Sequence, residues 1–236
     1  MQTQIHQLWV ADGLPNHPSR NMASIKSITV HTTGNRNPTA TAEAHARFQY
    51  SGGGGRQASW HYTVDADEIW QSFKDQQMCW HTGTRNGNET SIGIEICVND
   101  RDGFASAVDK TAWLVGSLLQ LYGLTINDVR QHFCWSGKNC PRELRSGEWG
   151  LSWSDFLAIV QNHLAPLSED EVDEVLNALT DAGINFYGEH WRGVLNGSIA
   201  PNKEWTKKLM VRVIDTRWQH FSPGVIGGSL LALLRT

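Results

Sequence analysis

Two histidines and one cysteine, His31, His132 and Cys140, form the most chemically suggestive residue set in this 236-residue chain. His132 and Cys140 bracket the segment His132-Phe-Cys-Trp-Ser-Gly-Lys-Asn-Cys140, which is long enough to fold back and aim both side chains at one point. His31 ends an apolar run about a hundred residues upstream. One thiolate with two imidazoles is the donor set of a zinc ion that keeps its fourth position open for water, as catalytic sites do. Lys138 falls in the same loop, where an ammonium can face the oxyanion that forms when water attacks an amide. Glu95 lies in Ser91-Ile-Gly-Ile-Glu-Ile-Cys-Val-Asn99, with Gly93 and Cys97 on its own side and isoleucines on the other. A half-buried carboxylate there gains proton affinity, which suits general acid–base work.

Each of these residues also has a plainer role open to it. A histidine ending a buried strand is often only hydrogen-bonded, a strand glutamate often faces water, and a loop lysine is often solvated. Cys134 offers a second thiol near His132, and pairing Cys134 with Cys140 would remove the thiolate, although a reducing compartment opposes that bond.

The elements that must position these groups follow from periodicity. Ile25 to His31 alternates and is β-branched, so it predicts a strand ending at His31. Thr39 to Tyr50 is alanine-rich and predicts a helix, followed by a flexible break at Ser51-Gly-Gly-Gly-Gly55. Ser59–Val64 and Glu68–Phe73 predict a hairpin, and Ser91–Asn99 is the most strand-like segment. Val108–Tyr122 has helical spacing with Gly123 as a stop, Asp128–His132 is extended, and Ser152–Leu164 predicts a helix. Strands interleaved with helices indicate an α/β domain, with a mixed β-sheet flanked by helices, over residues 1–165. From Ser168 the pattern is helical only, with capping-box spacing at Ser168–Glu171. This predicts a small all-helical domain over 166–236.

Composition narrows the partners. The net charge of -4 and the lack of a basic patch argue against nucleic acid. No apolar run reaches membrane-spanning length, so no membrane partner is expected. The first twenty residues are polar where a secretion signal would be apolar, which predicts synthesis in a cytoplasm. The four cysteines lack the density of a disulfide scaffold. The eleven tryptophans are the compositional outlier, and Trp60, Trp80 and Trp135 either line a groove for sugar or peptide or pack in the core. Nothing in the sequence sets the oligomeric state.

Val30-His31-Thr-Thr-Gly34-Asn35, Ser59-Trp-His-Tyr-Thr-Val64, Trp80-His81-Thr-Gly83, Ser91-Ile-Gly-Ile-Glu95 and Ser136-Gly-Lys-Asn-Cys-Pro141 occur in this order. Together they resemble the type-2 N-acetylmuramoyl-L-alanine amidases of phage endolysins and bacterial autolysins, over residues 20 to 165. The resemblance implies zinc held by His31, His132 and Cys140, with Glu95 as catalytic carboxylate and Lys138 stabilising the transition state. It further implies bacterial peptidoglycan as partner, cut between N-acetylmuramic acid and L-alanine. His81, Trp60 and His61 fall at family motif positions near the groove. They are expected as substrate contacts, with His61 alternatively supporting the fold. Related chains often carry Arg before the second histidine and Asp two residues after it; here Gln131 and Cys134 stand there, so the hydrogen bonding around His132 is expected to differ.

Two other functions keep a place: a non-catalytic peptidoglycan-binding protein, and an amidase that recycles soluble muropeptides. The complete set of His31, His132, Cys140, Glu95 and Lys138 favours a wall hydrolase, and a second domain would suit attachment to an insoluble wall. The helical module resembles, weakly, those following phage and prophage amidase domains. Such an enzyme would reach the wall by lysis or through a holin-like pore, as an endolysin, an autolysin or a spore-associated amidase.

Overall fold

The computed structural model describes residues 5–164. The helical module expected over 166–236 lies outside them. Six strands form one mixed sheet: β1 (Ile5–Gln7), β2 (Ser27–Thr32), β3 (Tyr62–Val64), β4 (Ile69–Gln71), β5 (Ser91–Ile96) and β6 (Val129–Gln131). Their spatial order is β1-β4-β3-β5-β2-β6, with only the β3–β4 pair antiparallel. That pair is the expected hairpin.

Helix α1 (Ala42–Tyr50) starts at Thr41, whose hydroxyl accepts from the Ala44 amide. After it come α2 (Arg85–Thr90) and α3 (Phe104–Tyr122), then α4 (Phe133–Ser136), α5 (Arg142–Ser146) and α6 (Trp153–Leu164). Helix α3 ends where Gly123 adopts φ 63°, a left-handed conformation that glycine takes without steric cost. It begins at Phe104, four residues before the periodic pattern becomes legible.

Side-chain alternation gives the sheet two buried faces. Ile28, Val30, Tyr62, Val64, Ile92, Ile94 and Ile96 are all fully buried and form the main core with α3, against which α6 places Phe156 and Val160. The opposite face carries Thr29, His31, Thr63 and Glu95, and α1 packs alongside at β3 and β4. Every residue of β2 is buried, including Ser27, Thr29 and His31. The alternation seen in the sequence therefore separates an apolar core face from a polar interior face, not a core face from solvent.

The register positions the chemistry. Parallel pairing sets His31 beside Glu95 and Thr29 beside Gly93, with Thr63 on the other flank of Glu95. Val30 pairs with Gln131, so the chain leaves β6 at His132, level with His31. No helix among the described residues is long and apolar enough to cross a membrane.

Candidate metal centre and cleft

At the carboxyl ends of β2 and β6, His31, His132 and Cys140 bring one donor atom each within 4.8 Å of one another, all three buried. The His31 and His132 Nδ1 atoms are 3.0 Å apart, and Cys140 Sγ lies 3.7 Å from His31 Nδ1. The remaining ring nitrogens show what this contact requires. His81 Nε2 lies 3.0 Å from the Ser91 carbonyl, which can only accept, so Nε2 carries the His81 proton. His81 Nδ1 is then an acceptor, and it takes its hydrogen bond from His31 Nε2 at 3.0 Å. His31 Nδ1 is thereby left with a bare lone pair. His132 makes a backbone hydrogen bond with Thr82, and with its proton on Nε2 the His132 Nδ1 is bare as well. In that tautomer two lone pairs and a sulfur converge on one point, an arrangement suited to a cation between them.

Electrostatics keep the imidazoles neutral. Burial pushes His31 well below the ordinary histidine value, with His81, His132 and Lys138 adding to the effect. His132 falls to about 4 through burial and the nearby Lys138 charge, and His81 to about 3, chiefly through burial. Burial raises the Cys140 thiol to about 12, with Glu95 pushing the same way. Burial likewise lifts the Glu95 carboxyl to about 8 against the opposing pull of Lys138. Glu95 Oε2 is buried and has no hydrogen-bond partner among the described residues.

These groups open onto a cleft of about 550 Å³, in which Glu95, His132 and Lys138 share the lining with Trp60, Trp80 and residues of α1. The loop carrying Cys140 is tied to the β2 side of the molecule. Glu143, fully buried, accepts from Arg36 at 3.2 Å and Arg142 at 2.9 Å, and the Arg142 amide donates to Thr32 Oγ1.

The family model for N-acetylmuramoyl-L-alanine amidase matches residues 21–143. The chain belongs to that family. It is 39% identical over 156 residues to N-acetylmuramoyl-L-alanine amidase XlyA of Bacillus subtilis, covering 65% of this chain and 50% of the relative. Identity to N-acetylmuramoyl-L-alanine amidase CwlH of the same species is 36% over 157 residues, covering 65% of this chain and 60% of that one. The chain thus spans roughly half the length of these curated relatives. Among solved structures, a mutant endolysin from Bacillus subtilis superimposes with a TM-score of 0.61 at 38% identity, over 67% of this chain and 99% of that one.

Within the amidase fold, the sequence-predicted residues separate into those brought together and those set apart. His31, His132 and Cys140 converge, and Glu95 and Lys138 line the adjoining cleft. Cys134 is exposed, lies outside the donor cluster and, like the other three cysteines, is a free thiol, so no bond to Cys140 competes. Gln131 pairs with Arg145, and His132 takes its backbone partner from Thr82.

The expected substrate contacts sit at different depths. His61 is fully buried, its Nε2 donating to the Gln77 carbonyl and its Nδ1 accepting from the Gly93 amide, so it supports β5 and does not reach the cleft. His81 borders the cleft, but both its ring nitrogens are committed to His31 and Ser91. Its place is behind a donor, and the sequence carried one clue to this. A Cβ at Gly93 would lie 2.7 Å from His81 Nδ1, so the bare backbone in β5 is where the His81 ring sits. Trp60 does line the cleft, with Nε1 donating to Thr63 Oγ1 at 2.7 Å. Trp135 donates to Thr29 Oγ1 instead and is not part of the cleft wall.

Proposed function

We propose that this chain hydrolyses the amide joining N-acetylmuramic acid to L-alanine in bacterial peptidoglycan, as a zinc-dependent endolysin or autolysin. The observation that carries the reading is the convergence of one sulfur and two imidazole nitrogens beside a half-buried carboxylate whose Oε2 has no hydrogen-bond partner among the described residues, in a fold of this family. The donor set fits zinc: one soft thiol and two neutral imidazoles, His31 being fixed through its far nitrogen by His81, with no fourth protein donor in the cluster among the described residues. Zinc bound there would supply Lewis acidity, polarising the scissile carbonyl and acidifying an attacking water.

The chain's own residues do the rest. Glu95, beside His31 in the sheet and facing the cleft, takes the proton of the attacking water and delivers it to the departing alanine nitrogen. Its raised proton affinity suits both transfers. Lys138 extends into the same cleft and faces the oxygen on which negative charge develops. The buried cluster behind them keeps the donors in one protonation state. A binding protein without catalysis would need neither the thiol nor the carboxylate, and both are present.

Amine release from purified peptidoglycan tests the reading. New N-terminal alanine without new reducing sugar ends is expected, and new reducing ends without free alanine amine would assign a different bond.

A further inference from the structure

Three charged side chains line the cleft: Glu95, Lys138 and Arg56. The first two have work in the amide hydrolysis described above. Arg56 does not. Lys138 is the cation whose charge bears on Glu95, His31, His132 and Cys140, and Arg56 bears on none of these four. Its guanidinium is exposed and has no ion-pair or hydrogen-bond partner among the described residues, whereas Arg20, Arg36, Arg47, Arg85 and Arg142 are each paired with a glutamate.

The backbone beneath Arg56 is firmly placed. Gln49, buried at the end of α1, clasps Trp60 through both of its backbone groups: Oε1 accepts from the Trp60 amide at 3.0 Å and Nε2 donates to the Trp60 carbonyl at 3.2 Å. Between these two anchors the chain makes a tight turn in which Gly52, Gly53, Gly54 and Gly55 all have positive φ. The turn presses on Asn16, which would sit 3.1 Å from a Cβ at Gly53 and which donates to the Gln49 carbonyl. A stretch that reads in sequence as a flexible break is thus a shaped support that presents Arg56 at the cleft. The wall beside it is built for a ligand of mixed character. Phe48 is 41% exposed, and His45 Nε2 is buried without a partner.

Resting on the amidase reading, we propose that Arg56 determines specificity by clamping a free carboxylate on the peptide portion of the substrate. A guanidinium presents paired donors that match a carboxylate, and a neutral carboxamide forfeits the charge-assisted part of that contact. A peptide stem offers carboxylates at its second residue, on the side chain of its third where that residue is a diamino diacid, and at its end. The shared chemistry is what Arg56 reads.

The test uses the full chain, zinc-loaded, and synthetic muramyl peptides that differ only in which one of these carboxylates is amidated. The wild-type enzyme should lose about ten- to a hundredfold in kcat/KM on one amidated peptide and little on the others, which names the carboxylate. Arg56→Gln should cleave the acid and that amide at equal, reduced efficiency, with the loss in KM and kcat retained; Arg56→Lys should recover part of the preference. Discrimination that persists unchanged in Arg56→Gln, or a wild type indifferent to every amidation, overturns the proposal. A wild type that cleaves none of the peptides refutes the amidase reading instead, and the proposal falls with it.

Discussion

His31 Nε2 donates to His81 Nδ1 across 3.0 Å, and this one hydrogen bond determines which nitrogen of His31 faces Cys140. Because His81 is itself fixed by the Ser91 carbonyl, the proton arrangement of both rings is set by a backbone oxygen of β5. The strand that carries Glu95 therefore also orients the His31 ring within the cluster it forms with His132 and Cys140.

His81→Phe removes that orientation while keeping a ring in place. Zinc affinity is expected to fall by about ten- to a hundredfold, the size of effect seen when a partner behind a metal-bound histidine is lost. Competition against a chromophoric chelator checks this, and Gly93→Ala, whose Cβ would strike the same ring, should weaken zinc in the same direction.

The proton count of metal binding follows from the shifts. His132 is neutral above about 4 and His31 is held well below its ordinary value, while Cys140 keeps its proton up to about 12. Of the three donors, the thiol alone must then release a proton on binding near neutrality. Apparent zinc affinity should rise by at least tenfold per pH unit between about pH 5.5 and 8, any excess coming from the Glu95 proton that zinc displaces, and Cys140→Ser should abolish the thiol's tenfold share. A slope near three would mean that the imidazoles also start protonated.

Glu95→Gln preserves shape and removes the base. Activity is expected to fall by about 10²- to 10⁴-fold with zinc content unchanged, measured by turnover alongside metal analysis. Glu95 must be deprotonated to accept the water's proton, so the wild-type rate should decline as pH falls, with a midpoint above the ordinary glutamate value of about 4.3. The metal-free value of about 8 sets its upper bound, since an adjacent dication favours the carboxylate. The glutamine variant should lose this acid limb.

Glu143→Ala removes the buried carboxylate that joins the Cys140 loop to Arg36 and Arg142. A destabilisation of about 1–3 kcal/mol is expected from the lost charge-assisted hydrogen bonds. Thermal unfolding of the zinc-free and zinc-loaded forms should show it, with zinc leaving faster from the variant.

Particular residues show what sequence reading can and cannot reach. The strands around His31 and Glu95 were legible because β-branched alternation is strong there, and the order of motifs gave the family. Strand β1 and helix α2 were missed. One has three residues, and the other, Arg-Asn-Gly-Asn-Glu-Thr, has no apolar periodicity and is held by the Thr84 side chain accepting from the Gly87 amide. The burial of Thr29 and Ser27 was not legible because alternation reports two faces without saying what covers the second. His81 and His61 look alike in sequence as motif histidines near a groove. Only the carbonyls of Ser91 and Gln77, which set their tautomers, reveal one as support for His31 and the other as support for β5.

X-ray absorption at the zinc edge of the purified 236-residue chain tests the central claim most directly. One zinc per chain is expected, with one sulfur at about 2.3 Å and two imidazole nitrogens plus one water oxygen at about 2.0 Å, the sulfur vanishing in Cys140→Ser. A shell without sulfur, or one closed by a fourth protein side chain, would contradict it.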